Sequence, residues 1–308
     1  MKVLFVGIGS IGTRHLNNLT QLAAQRGLEL EIDALRSSLR PLPPEVTSKL
    51  NRQIIGFDHL DHYDLAFITN PTHLHAMALQ ELAGKVDCFF IEKPIFESIH
   101  YDLERLGLDW AQKAYVAAPM RWCGVMLALK QLLPQLKPYS ARVICSSYLP
   151  DWRPGVDYRT VYSAHKDMGG GVTIDLIHEW DYLVDLFGRP QKMYNLKGTY
   201  SDLALDSDDL SIYIAQYPTM LAEVHLDYFG RTYRRSIELL CQDGTVTADF
   251  GQGTLTLADG TVEHYEEPVN QRYLREMEYF LNYAEKGAGP SVNDPATALD
   301  VLKLTLGQ

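Results

Sequence analysis

The chain has 308 residues, enough for two domains that each bury a core of their own. Hydrophobic residues make up 46% and charged residues 22%, the mix of a folded globular protein rather than a disordered one. A formal net charge of −11 excludes the broad basic field that nucleic acid or an anionic membrane would need, yet leaves room for a local basic cluster that takes a small anion.

Residues 2–6, "KVLFV", form a short apolar run that ends at Gly7. Ile11, Leu16, Leu19, Leu22 and Ala23 follow at helical spacing, and Gly27 closes that helix at 11–26. "LELEIDAL" (28–35) alternates as a strand, "LRPLPPEV" is a proline-rich loop, and "DLAFIT" (64–69) is a buried strand. A helix is expected at 73–83, a strand at "DCFFIE", a helix over 98–113 with Ser98 as its cap, and a strand at 114–118. Strands and helices alternating in this way imply βαβ units and a parallel sheet. The grammar changes near Pro119. A helix at 124–136, a strand at 142–149, a long loop over 150–172 and a helix at 175–187 precede several strands between 192 and 265, with helices at 271–286 and 294–306 last. The expected fold is an α/β Rossmann domain over 1–118 and an α+β domain over 119–308 with an open, mostly antiparallel sheet.

Cys88, Cys123, Cys145 and Cys241 are far apart, with no CxxC pair and no metal-ligand spacing, and read as reduced thiols. Gly7 and Gly9 interrupt the opening apolar run too early for a signal peptide, and no run approaches membrane-spanning length. A cytoplasmic protein with no nucleic-acid or membrane partner is expected.

"GIGSIG" places Gly7, Gly9 and Gly12 in the G-x-G-x-x-G pattern between a strand and a helix, the context that a dinucleotide site needs. Gly7 permits the tight turn, Gly9 lets the backbone approach a pyrophosphate, and Gly12 allows close helix–strand packing. Asp33 lies near the distance at which NAD enzymes place an acid for the ribose, but it sits inside its apolar run. The strand tip is Arg36-Ser37-Ser38, which suits a 2′-phosphate, so NADP(H) is favoured and NAD(H) is the alternative.

"GIGSIGTRH", "TNPTHLHAMAL", "EKP" (92–94), "GGGVTIDLIHEWDYLVDLFG" (169–188) and "EVHLDYFGRTYRR" (223–235) occur in one order across nearly the whole chain. Together they resemble the Gfo/Idh/MocA oxidoreductases, the glucose–fructose oxidoreductase and inositol dehydrogenase group. The resemblance implies an NAD(P)-dependent enzyme acting on a sugar or sugar acid, with the second domain forming a homodimer or homotetramer interface. Gly7, Gly9, Ser10, Ile11, Gly12, Arg36, Ser37, Ser38, Thr69, Asn70, Pro71, His75, Glu92, Lys93 and Arg121 would meet the cofactor. Glu92 and Lys93 would face its nicotinamide end, and the Lys93–Pro94 bond is often cis in this group. Lys93, His178 and Asp175 would be catalytic. The chain departs from the pattern in having two residues between Asp175 and His178 where the group has three. Asp181 and Gly188 keep their distances from His178, so the resemblance carries over His178 more firmly than Asp175. "PMRWCG" (119–124) keeps only Arg121 of the usual Asn-Arg-His-Pro segment.

The loop 151–171 sets Arg153, Arg159, His165 and Lys166 among Tyr158, Tyr162 and Trp152, after Tyr148. As a set these cations look like a clamp for a carboxylate or phosphate, so an anionic, sugar-like substrate is expected against Lys93, Arg153, Tyr158, Arg159, Lys166 and His178. "HEWDY" (178–182) has Tyr182 where a zinc protease needs its second His. His73 and His75 point to different faces of one helix, and His59 and His62 flank Asp61 on a polar loop, so no metal is expected. Two other readings remain: a glycoside hydrolase that uses tightly bound NAD transiently, and a non-enzymatic NAD(P) sensor.

Overall fold

The computed structural model describes residues 1–58, 60–108 and 113–308, so His59 lies outside the described residues. The chain divides into two compact units, Met1–Pro119 with Tyr273–Asp300, and Met120–Arg272 with Val301–Gln308.

In the first unit the apolar runs become six parallel strands, β1 (Lys2–Val6), β2 (Glu31–Arg36), β3 (Arg52–Ile55), β4 (Tyr63–Ile68), β5 (Val86–Ile91) and β6 (Lys113–Val116), in the order β3-β2-β1-β4-β5-β6. Helices α1 (Ser10–Arg26), α2 (Pro44–Thr47) and α3 (His75–Leu82) lie between them. This is the doubly wound order of a dinucleotide-binding sheet, with the strand sequence reversing between β1 and β4. Edge strand β3 had no signal in the sequence, because it is four residues long and three of them are exposed. Gly27 ends α1 in a left-handed conformation, φ +66°, and its amide donates to the Ala24 carbonyl.

The helix expected over 98–113 does not form within its described part. Leu103 to Gly107 make a single turn, and Gly107 at φ +71° ends it; 109–112 lie outside the described residues. The sheet face above β4, β5 and β6 is covered instead from the far end of the sequence. Met277, Phe280 and Leu281 recur at helical spacing and pack with Phe67, Phe90 and Tyr115, and the Phe280 ring meets Phe90 edge-on at 5.1 Å. Buried Glu276 accepts hydrogen bonds from the Tyr115 hydroxyl at 2.8 Å and the Ala118 amide at 2.6 Å. A single boundary at 118/119 is therefore corrected: 273–300 returns to the first unit, because its apolar stripe completes that core.

The second unit holds α4 (Gly124–Leu132), β7 (Pro138–Tyr148), α5 (Val172–Asp175), α6 (His178–Phe187), β8 (Lys192–Gly198), β9 (Leu210–Gln216), β10 (Leu221–Asp227), β11 (Phe229–Cys241), β12 (Gly244–Asp249), β13 (Thr254–Thr256) and β14 (Val262–His264). Helices α7 (Asn270–Lys286) and α8 (Pro295–Thr305) each run across a division between the units. The sheet order is β14-β13-β12-β11-β7-β10-β9-β8, antiparallel except for the pair β7–β10. Alternate residues such as Val143, Tyr213, Val224 and Ile237 are buried on one face, where Trp180 of α6 meets Tyr213 edge-on at 5.2 Å. On β8 and β9 the other set, Tyr194, Leu196, Ile212 and Ile214, is exposed, with Tyr194 paired to Ile214 and Leu196 to Ile212. Among the described residues, no helix is long and apolar enough to cross a membrane.

Candidate functional site

The glycine loop is built by packing demands that can be checked residue by residue. A side chain on Gly7 (φ +90°) would come within 2.9 Å of the Asn70 Cα. One on Gly12 would come within 2.7 Å of the Gly7 carbonyl and 2.8 Å of Thr69 Oγ1. Gly9 is different: a Cβ there would meet nothing within 4 Å. It borders a cavity of about 390 Å³ lined by Gly7, Ile8, Gly9, Arg36, Ser37, Ser38, Thr69, Asn70 and Pro71. α1 begins beyond Gly9 with no side-chain cap and no acid in its first turn. The amides of Ser10, Ile11 and Gly12 thus have no intrahelical acceptor, at the positive end of the helix dipole. The Asn70 Oδ1 is buried with no hydrogen-bond partner. The open space at Gly9 and the bare amides fit the pyrophosphate of a dinucleotide, which would supply the anionic oxygens that the amides need; the Asn70 oxygen, an acceptor, takes no part in that fit.

Asp33 is fully buried and already engaged. It receives Arg52 Nη2 at 2.5 Å, Arg52 Nε at 3.1 Å and the Tyr63 hydroxyl at 2.8 Å. Burial alone would push this carboxyl up, but hydrogen bonds from Arg52 and Tyr63 hold it below its ordinary range. Arg36 at the strand tip donates to Gln53 Oε1 at 2.5 Å and to the Arg40 carbonyl at 2.7 Å, both uncharged acceptors. Its charge therefore faces the cavity uncompensated by them.

At the tip of β5, Glu92 is turned inward. Its Oε1 lies 2.5 Å from Nε2 of buried His15 on α1, and its Oε2 accepts the Lys93 amide at 3.0 Å. Burial raises the carboxyl pKa, but the hydrogen bond and charge of His15 and the neighbouring Lys93 together outweigh it and leave the pKa below the ordinary value. Glu92, expected at the nicotinamide end, ties the strand tip to the helix carrying the glycine loop. The Lys93–Pro94 peptide is cis. His75 is buried too, with Nδ1 3.0 Å from the Ile95 carbonyl and Nε2 3.0 Å from the Asn70 carbonyl. It does not line the cavity; it braces the Thr69–Pro71 loop from behind.

The second unit has its own cavity, of about 420 Å³, lined in part by Tyr148, Trp152, Asp175, His178, Arg231 and Tyr233. The helical backbone breaks between α5 and α6, where Leu176 departs from helical geometry at φ −98°, ψ 32°. That break compensates for the shorter spacing, and Asp175 and His178 both reach the cavity wall. Asp175 accepts hydroxyl hydrogen bonds from Tyr162 at 2.7 Å, Ser163 at 2.6 Å and Tyr228 at 2.6 Å.

The expected clamp is not assembled at this cavity. Exposed Arg159 is paired with Asp157 at 2.7 Å, and Lys166 is exposed. Arg153 and Tyr158 line a separate recess of about 10 Å³, room for about one water. Arg121, expected at the cofactor, is buried and donates to both oxygens of Asp181 at 2.8 and 2.9 Å and reaches Asp185 at 3.4 Å. Two cations that residue-by-residue reading passed over, Arg231 and Arg235, line the cavity instead. The only signal for them was the "FGRTYRR" stretch, whose register on the sheet is invisible in one dimension. Among the described residues, no three His, Cys, Asp or Glu side chains are grouped to hold a metal.

A parallel sheet in the 3-2-1-4-5-6 order with a glycine loop at its switch point defines a Rossmann-type nucleotide-binding unit, here joined to an open α+β sheet unit. Solved structures share that combination. An oxidoreductase from Agrobacterium radiobacter, in complex with NAD+, L-tartaric acid and magnesium, superposes with a TM-score of 0.81 at 16% identity, covering 99% of this chain and 94% of its own. A levoglucosan dehydrogenase in complex with NADH and levoglucosan gives a TM-score of 0.81 at 16% identity, covering 100% of this chain and 95% of its own. The WlbA dehydrogenase from Bordetella pertussis, in complex with NADH and UDP-GlcNAcA, gives 0.76 at 18% identity, with 100% and 94% covered. The chain has the fold of these dehydrogenases along its whole length. No family model matches the sequence, and no curated protein does.

Proposed function

We propose that the chain is an NAD(P)-dependent oxidoreductase that moves a hydride between nicotinamide C4 and a carbinol or carbonyl carbon of a sugar or sugar acid. One observation carries the reading: the cavity at the glycine loop joins an uncapped helix N-terminus to open space at Gly9. The neighbours in complex with NAD+ or NADH share the fold around that loop. When bound, the nicotinamide supplies the hydride chemistry. Gly7, Gly9, Ser10, Ile11 and Gly12 would hold the pyrophosphate, with Thr69, Asn70 and Pro71 beside it. Lys93, beyond the carboxyl end of β5, and His178, on the second unit's cavity wall, handle the proton. In reduction one of them gives a proton to the new alkoxide oxygen; in oxidation it takes the proton from the hydroxyl. Asp175 organises the wall through its three hydroxyl partners.

NADP(H) is the favoured cofactor, because Asp33 is engaged by Arg52 while Arg36, Ser37 and Ser38 line the cavity. A 2′-phosphate there would gain charge-assisted hydrogen bonds. NAD(H) is the alternative that the neighbours favour. The exposed apolar strip on β8 and β9 supports a homo-oligomer, dimer or tetramer. Titration with NADPH and NADH, followed by nicotinamide fluorescence, tests the cofactor; binding of neither would remove the reading. Arg36→Asp is expected to weaken NADPH by about 1.5–3 kcal/mol and leave NADH nearly unchanged. Tighter binding of NADH by the unmodified protein would overturn the NADP preference. Turnover on a panel of keto-sugars tests the reaction itself.

A further inference from the structure

The second unit's cavity contains two arginines in opposite situations. Arg235 is tied to fully buried Glu179, Nε to Oε1 at 2.7 Å and Nη2 to Oε2 at 3.0 Å, so its charge is compensated. Arg231 is exposed, and its guanidinium lies 3.7 Å from the centroid of the Tyr148 ring. Among the described residues it has no carboxylate partner. Its placement is built in. The pairing of β11 with β7 shifts register between Phe229 and Arg234, and such bulges re-aim side chains. Gly230 makes the bulge possible, since a Cβ there would come within 1.9 Å of Ser146 Oγ. The Gly230 amide is fixed by a 2.7 Å hydrogen bond to Asp227 Oδ1.

A guanidinium carries its five N–H donors in its own plane. Stacking on Tyr148 occupies a face and leaves the forked edge free, which is the geometry that takes a carboxylate through two parallel hydrogen bonds. Trp152 is held beside it, its indole N–H donating to Ser147 Oγ at 3.0 Å. A volume of about 420 Å³ stands in the lower part of the usual range for ligand pockets, roughly 300–1,000 Å³, and favours a small ligand.

We infer that Arg231 is the residue that selects the substrate, by binding the carboxylate of a small sugar acid along its free edge. The anion subsite is thus moved from the 151–171 loop to the bulge of β11. The inference rests on the proposed function for its substrate class. It is tested by calorimetric titration of the full chain with three matched pairs: D-glucuronate and D-glucose, D-galacturonate and D-galactose, D-gluconate and D-sorbitol. In at least one pair the acid should bind about 10- to 100-fold more tightly. Arg231→Gln should abolish that preference without changing affinity for the neutral partner, Arg231→Lys should restore part of it, and Arg159→Ala should leave it intact. Circular dichroism and NADPH titration of each variant show that the fold and the cofactor site persist. Lack of acid preference in all three pairs, or a preference that survives Arg231→Gln, would overturn the inference. With dinucleotide binding intact, either result leaves the proposed cofactor reading standing; failure to bind any dinucleotide strikes that reading instead.

Discussion

Replacing Asp33 with Asn separates a structural acid from a ribose-reading one. The carboxylate is buried and accepts hydrogen bonds from Arg52 and Tyr63, so the substitution removes a charge-assisted pair, worth about 1.5–3 kcal/mol. The cost stays below the roughly 3–5 kcal/mol of a fully buried broken pair, because Arg52 is half-exposed and keeps Asp61 at 2.8 Å. With about 2.1 cal/mol/K of unfolding entropy per residue, a loss of about 1.5–3 kcal/mol corresponds to a Tm about 2–5 °C lower in a chain of 308 residues. The loss should also depend on pH. The folded-state pKa of Asp33 lies below its ordinary value, so its contribution is complete above about pH 4 and fades as pH falls through the folded-state value. Melting curves at pH 7 and pH 3 should therefore show a gap between wild type and Asp33→Asn that narrows in acid. The ratio of NADPH to NADH affinity should not change. A variant of undiminished Tm whose NADH affinity falls tenfold or more would refute the reasoning and make Asp33 the ribose acid.

Lys93→Met is expected to retain NADPH binding while kcat falls by about 10²–10⁴-fold, and His178→Ala to lose less; full activity in His178→Ala would leave Lys93 as the sole proton-handling residue. His75 offers a second pH test. Burial lowers its pKa, against the pull of the Ile95 and Asn70 carbonyls and of Glu92, so the neutral ring stabilises the fold above about pH 6.5 and that stabilisation is lost as pH falls. This should be read as a Tm decline between pH 7.5 and 5.5 that is smaller in His75→Gln; equal declines would show that the residue does not couple to pH.

Much of the fold was legible because it is encoded locally. Gly7, Gly9 and Gly12 sit in a loop whose geometry depends on a few consecutive residues, and β1, β4 and β5 are apolar runs that only a sheet covered on both faces explains. The Asp175–His178 spacing was legible only in part. Counting residues along the chain carried His178 over more firmly than Asp175, and a break in the helical backbone at Leu176 places both on the wall of one cavity.

The sequence by itself determined most of the strands and helices, the glycine turn after β1 and the residues at the tips of β2 and β5, because these follow from the period of burial and from glycine's freedom at a turn; the short exposed β3 and the segment after Ser98 escaped it. Only the tertiary structure decided which charges remain available. Arg52 reaches 19 positions back to Asp33, and Arg121 reaches 60 positions on to Asp181, so both cations are held in internal pairs. Arg231 is held by a register shift between β11 and β7, and 273–300 returns to the first sheet to meet Phe67, Phe90 and Tyr115. A charge's partner and a helix's resting face are set by neighbours far away in sequence, and no local pattern carries that information.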